Sequence, residues 1–138
     1  MEEKLTAIII DAESAARQEL TTLLANFPQI QIIAEAASGK DALPLIENQQ
    51  PDMLFLAVDM PAMNGFELFA KLKKQPKVFF MTEAGNPAIA IFEQKNIDYL
   101  LKPFQKESLA AHIAKLSVTH QALALPLQNL LSKLKLKS

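Results

Sequence analysis

The chain has 138 residues, half of them hydrophobic and 21% charged, with a formal net charge of -1. One domain with a full core fits that length, and the near-neutral balance supplies no general attraction to nucleic acid or anionic membrane. Cysteine is absent, which excludes disulfides, thiolate metal sites and cysteine nucleophiles.

Met1-Glu2-Glu3-Lys4 precedes only a short apolar run, Ala7 to Ile10, too short for a signal peptide or a membrane span. A cytoplasmic location is expected. The run is largely β-branched and continuously apolar, as a strand covered on both faces should be. It ends at Asp11-Ala12-Glu13, where Ser14 offers an N-cap to a helix over Ala15 to Asn26, stopped by Pro28. Ile30 to Ala36 reads as a second strand, with Ile30, Ile32 and Ala34 alternating. Ser38-Gly39 opens a helix to about Asn48, in which Pro44 predicts a late start or a bend.

Pro51-Asp52 leads into a third strand, Met53 to Val58. Asn64-Gly65 signals a turn, and Phe66, Leu68, Phe69 and Leu72 mark the inner face of a third helix. Lys77 to Met81 forms a fourth strand ending at Thr82, and the loop Glu83-Ala84-Gly85-Asn86-Pro87 precedes a helix over Ala88 to Lys95. Ile97 to Leu101 forms a fifth strand ending at Lys102-Pro103. A helix then runs from Phe104 to about Val118 with Leu109, Ile113 and Leu116 inward. Strands alternating with helices in this way imply an α/β fold with a parallel sheet and right-handed crossovers.

The expected domain occupies residues 1–118, leaving 119–138 as a helical tail or linker. Pro126 interrupts that tail, and Leu127, Leu130, Leu131 and Leu134 recur at helical spacing beside Lys133, Lys135 and Lys137. It suits docking on its own domain, a dimer contact, or connection to an output domain.

In an open parallel sheet, ligands and chemistry collect at the carboxyl ends of the strands. That rule gathers Asp11, Ala57, Thr82 and Lys102 on one edge. A lysine ending a buried strand needs a charge partner, so Lys102 is the strongest single signal. Taken alone, Asp11 suits helix capping, Thr82 a loop cap and Tyr99 ordinary packing. Asp52 and Asp98 read as solvated turn residues, and His112 and His120 lack metal-ligand spacing. Gly39, Gly65 and Gly85 lie in separate turns and form no phosphate-cradling motif.

From about Leu5 to Leu116 the chain resembles the receiver domain of two-component response regulators. The likeness is carried by Ile10-Asp11-Ala12-Glu13, Met60-Pro61-Ala62-Met63-Asn64-Gly65, Met81-Thr82 and Asp98-Tyr99-Leu100-Leu101-Lys102-Pro103-Phe104. The last run, with Ala16-Arg17-Gln18-Glu19-Leu20, is most similar to receivers coupled to LytTR-type DNA-binding domains. The resemblance implies a flavodoxin-like (CheY-like) doubly wound sheet of five strands, order 2-1-3-4-5, with five helices. It also implies Asp11 as an acidic-pocket residue, Thr82 as switch hydroxyl, Tyr99 as switch aromatic, Lys102 as catalytic lysine, and a cis peptide at Lys102-Pro103. In such receivers a carboxylate after strand three attacks phosphorus, Mg²⁺ neutralises the oxygens, and the lysine stabilises the transferring group.

Two departures stand out. Ala12 occupies the place of a carboxylate that touches the metal, and Ala57 the place of the phosphoacceptor. A methyl group can neither attack phosphorus nor bind Mg²⁺. Asp59, two residues past Ala57, could face the same pocket by strand alternation.

The expectation is therefore a degenerate, non-enzymatic receiver with Mg²⁺ binding lost or weak. It would act through a protein partner such as a sensor kinase or output domain, with a homodimer also open and no nucleic-acid or membrane contact by the domain itself. The recognition face would be helix four, strand five and helix five, around Tyr99. Two alternatives stay open: Mg²⁺-dependent phosphorylation at Asp59 or Asp11, and an anion or small-molecule site built on Lys102 and Thr82. The loss of two negative charges further predicts that Lys102 pairs with Asp11 in place of the metal.

Overall fold

A computed structural model describes residues 4–122, with side chains through residue 116. Two compact units divide the chain after Gln105. The first holds β1 (Leu5–Ile10), α1 (Ser14–Leu24), β2 (Ile30–Ala36), α2 (Gly39–Gln49), β3 (Met53–Ala57), α3 (Gly65–Lys71), β4 (Lys77–Glu83), α4 (Ala88–Lys95) and β5 (Tyr99–Lys102). The strands form one parallel sheet in the order β2-β1-β3-β4-β5. The second unit contains α5 (Lys106–Ala122), in which Leu109 and Ile113 share one stripe at i and i+4. The segment 123–138, including the leucine and lysine pattern of the expected tail, lies outside the described residues.

Burial explains why the central strands lack alternation. Ile8, Ile9 and Ile10 of β1 and Leu54, Phe55 and Leu56 of β3 are all fully buried, so both faces of these strands are covered. At the edge, β2 shifts register opposite Ala7 and Ile8, and this bulge skips Ile33. The simple alternation expected for Ile30, Ile32 and Ala34 therefore ends partway along the strand.

Local chemistry sets the helix ends. Ser38 accepts a hydrogen bond from the Asp41 N–H at the start of α2. The helix begins at Gly39 and continues through Pro44, so the late start does not occur. Asn64 and Glu67 form a reciprocal capping box on α3. At the start of α1 the expected cap differs: Ser14 is the first helical residue and Glu13 the flanking one, with no side-chain cap bond. Asp11 Oδ1 accepts the Glu13 N–H at 2.9 Å and organises that turn.

Further boundaries moved: α1 ends at Leu24 rather than Asn26, and β3 at Ala57 rather than Val58. β4 extends to Glu83 because it pairs with β5 as far as Lys102. Asn96 closes α4 in the left-handed region at φ 61°, and the Ile97 N–H bonds back to Phe92 O, so β5 begins only at Tyr99. α5 begins at Lys106 rather than Phe104. Phe66, expected on the inner face of α3, is 37% exposed and packs sideways against Phe80 and Phe92.

Candidate functional site

Asp11 follows β1 and is held by its backbone on both sides. Its N–H donates to Ala36 O of β2 at 3.0 Å, and its carbonyl accepts from Arg17 Nη1 at 2.6 Å. The carboxylate is 1% exposed. Lys102, the last residue of β5, crosses the ends of β4 and β3 and places Nζ 2.7 Å from Asp11 Oδ2 and 2.8 Å from Glu13 Oε1. The Glu13 contact is a directed hydrogen bond. The Asp11 contact is a charge contact, and Oδ2 receives no directed donor from the protein.

Burial opposes charge on Lys102. The adjacent carboxylates of Asp11 and Glu13 outweigh it, and its pKa lies above the usual lysine value. The hydrogen bond and charge of Lys102 in turn hold the Glu13 carboxyl below its usual range. The structure thus makes the expected Lys102–Asp11 pair and adds Glu13 as a second partner.

Ala57 ends β3 and is 1% exposed, with its methyl group on this buried edge. Gly65 explains how α3 comes so close: a Cβ there would lie 2.3 Å from Ala57 O, a distance only glycine permits. Thr82, in β4, is buried, and its Oγ1 has no partner within the protein.

Ala12 is exposed beside this cluster. Asp59 is also exposed, and its Oδ2 accepts from Asn86 Nδ2 at 2.9 Å. The alternation that would have aimed Asp59 inward stops where β3 ends, at Ala57. Asn86 Oδ1 also accepts the Ala88 N–H at 2.8 Å just before α4, so Asn86 ties two loops of this edge. In the β3–α3 loop, Ala62 adopts φ 70° while the Met63 N–H bonds to Pro61 O at 2.7 Å, a strained γ-turn.

Tyr99 is half-buried, stacks on Phe92 at 5.4 Å between ring centroids, and donates its hydroxyl to Glu93 Oε2 at 2.8 Å. That hydrogen bond, with some burial and the Glu93 charge, raises the phenol pKa. Lys102-Pro103 is cis. His112 Nδ1 contacts Ser108 O within its own helix, and the side chain of His120 is outside the described set.

Sequence reasoning missed Glu13, Arg17, Asn86 and Glu93. Each is a polar residue at a helix end or on a helix surface, where solvation is the ordinary expectation.

A family model described as response regulator receiver domain matches residues 7–114. An uncharacterized response regulatory protein of Vibrio cholerae is 42% identical over 120 residues, covering 84% of this chain and 46% of the relative. The sensory transduction protein LytT of Enterococcus faecalis is 38% identical over 113 residues, covering 80% and 47%. The chain spans about half the length of the curated relatives it matches. Among solved structures, the response regulatory domain of mrkE from Klebsiella pneumoniae aligns with TM-score 0.71 at 28% identity, over 83% of this chain and 97% of that one. The signal receiver domain of a response regulator, NarL, from Mycobacterium tuberculosis shares the fold, with TM-score 0.70 at 23% identity over 83% and 96% of the two chains.

Proposed function

The chain belongs to the response regulator receiver domain family, and from that premise we propose that it is a degenerate receiver acting by phosphorylation-independent protein–protein recognition. Domains of this family work with partner proteins such as sensor kinases and output domains. The observation that carries the reading is the pairing of Lys102 with Asp11 at 2.7 Å and Glu13 at 2.8 Å. The charge of this ammonium is balanced by two carboxylates of the protein rather than by a bound metal-phosphoryl group.

Ala57 stands where the family places its phosphoacceptor, and its methyl group offers no nucleophile. The residues present do not fit Mg²⁺ either. Ala12 and Ala57 supply no oxygen from their side chains, Asp59 turns to Asn86, and Asp11 is occupied by Lys102. Among the described residues no group of three or more histidines and carboxylates is placed to hold a metal.

Recognition in this reading uses α4 and β5, which carry the exposed hydrophobics Ile91 and Leu101 together with Tyr99. Similarity to a sensory transduction protein, LytT, and to relatives about twice the length of the matched region favours a receiver that works with a further output domain. No helix among the described residues is long and apolar enough to cross a membrane. The anion-site alternative has one observation in its favour, the partnerless Thr82 Oγ1. Two carboxylates around Lys102 oppose it electrostatically.

Intact-mass spectrometry after acetyl phosphate treatment, with and without Mg²⁺, tests the proposal. The expected result is an unchanged mass for this chain and a phosphoryl adduct for the A12D/A57D double variant. A Mg²⁺-dependent adduct on the unaltered chain overturns the reading and directs attention to Asp59 and Asp11.

A further inference from the structure

Arg17 lies in the first turn of α1, and no part of the pocket reading uses it. Its geometry is specific. Nη1 donates to Asp11 O at 2.6 Å, and Nε pairs with Glu35 Oε1 at 3.2 Å, with the Arg17 side chain 19% exposed.

These two contacts solve a problem at the end of the sheet. The β1–β2 pairing runs out at Ile10 and Ala36, and the Asp11 N–H makes one last bond, to Ala36 O. β2 ends at Ala36, so the carbonyl of Asp11 has no further strand donor beside it. Arg17, reaching back from α1, supplies that donor, and Glu35 of β2 fixes the guanidinium in place. A side chain thereby extends the ladder one residue beyond the backbone.

We infer that Arg17 is the positioning residue of the charge cluster: by fixing the Asp11 carbonyl it sets the direction in which the Asp11 carboxylate meets Lys102. A continuous polar chain results, Glu35–Arg17–Asp11–Lys102–Glu13, running from β2 to β5 across the carboxyl edge. The two contacts to Arg17 need a forked donor. A lysine carries the same charge on a single terminal nitrogen and serves one of them, not both. The inference deepens the preceding proposal and rests on its view that the Asp11–Lys102 pair organises the pocket.

The test is NMR of the Lys102 ammonium in the full chain, reading its solvent exchange and titration. Slow exchange and titration above the usual lysine range are the expected wild-type result, because Asp11 and Glu13 hold the proton. In R17A and R17K alike, exchange accelerates by about tenfold or more, the equivalent of losing one charge-assisted hydrogen bond. E35Q, which leaves the Asp11 contact available and removes only the anchor, gives an intermediate rate and guards against loss of fold in R17A. Full recovery of the wild-type signal in R17K shows that charge alone suffices and overturns the positioning role. A lower melting temperature with an unchanged Lys102 signal also overturns it, because Arg17 is then merely structural. The acetyl phosphate experiment fails independently: a phosphoryl adduct with the Arg17 effects intact removes the degenerate-receiver reading and leaves the positioning role standing.

Discussion

At the amino edge of the sheet, Asp52 and Thr6 satisfy one another in full view of solvent, whereas at the carboxyl edge Asp11 and Lys102 meet where water is largely excluded. Asp52 Oδ2 accepts from both the N–H and the hydroxyl of Thr6, and its own N–H returns bonds to Thr6 O and Oγ1. Nearby, Lys77 pairs with Asp98, both partly exposed. The carboxyl edge instead holds a carboxylate 1% exposed, a lysine 16% exposed, and two oxygens, Asp11 Oδ2 and Thr82 Oγ1, without directed partners in the protein. One edge closes a turn with contacts that water could replace. The other maintains charges whose alternative is desolvation without compensation.

That contrast predicts unequal consequences for two similar substitutions. K102M strands a buried carboxylate and lowers unfolding stability by about 3–5 kcal/mol, read from urea denaturation. K77M removes an exposed pair and costs less than about 1 kcal/mol. Equal and small effects for both would collapse the distinction between the edges.

The pH dependence sharpens it. Lys102 has a raised folded pKa, so its contribution is complete below the usual lysine value and is lost as pH rises through the folded value. Glu13 has a lowered one, so its smaller, exposed contribution is present above the usual glutamate value and is lost as pH falls through the folded value. Thermal melts of the wild type should therefore fall on the alkaline side, while K102M loses that part of the slope. Parallel alkaline profiles would remove Lys102 as the cause.

The smallest expected effect is at Ala62, where φ is 70° in a turn that lies outside the ion cluster. A62G relieves the left-handed penalty at some cost in chain entropy, for a net gain of up to about 1 kcal/mol by chemical denaturation. A loss of stability would show that the turn is not strained.

Much of the carboxyl edge was legible because it follows from strand ends. Continuous apolar runs located β1, β3 and β4, and a parallel sheet then placed Asp11, Ala57, Thr82 and Lys102 together. Asp59 was misplaced because alternation was carried past the end of β3, into a loop that Asn86 controls. Glu13 and Arg17 were illegible for a different reason. Their importance depends on the end of the β1–β2 ladder and on the reach of Lys102 from β5, both set by tertiary register. Asp52 and Asp98 read as solvated turn residues; Asp52 sits at a bend, Asp98 does not, and they bond to Thr6 and Lys77 of neighbouring strands far away in sequence.

The reach of Lys102 also orders events during synthesis. Glu13 and Lys102 are 89 positions apart, so at ordinary translation rates the acidic side of the cluster leaves the ribosome about 5–20 s before its lysine. Through that interval Asp11 has no lysine to pair with, and its carboxylate keeps its hydration. Drying of that edge waits for β5, so a chain stalled before Lys102 lacks the cation that its buried carboxylate needs.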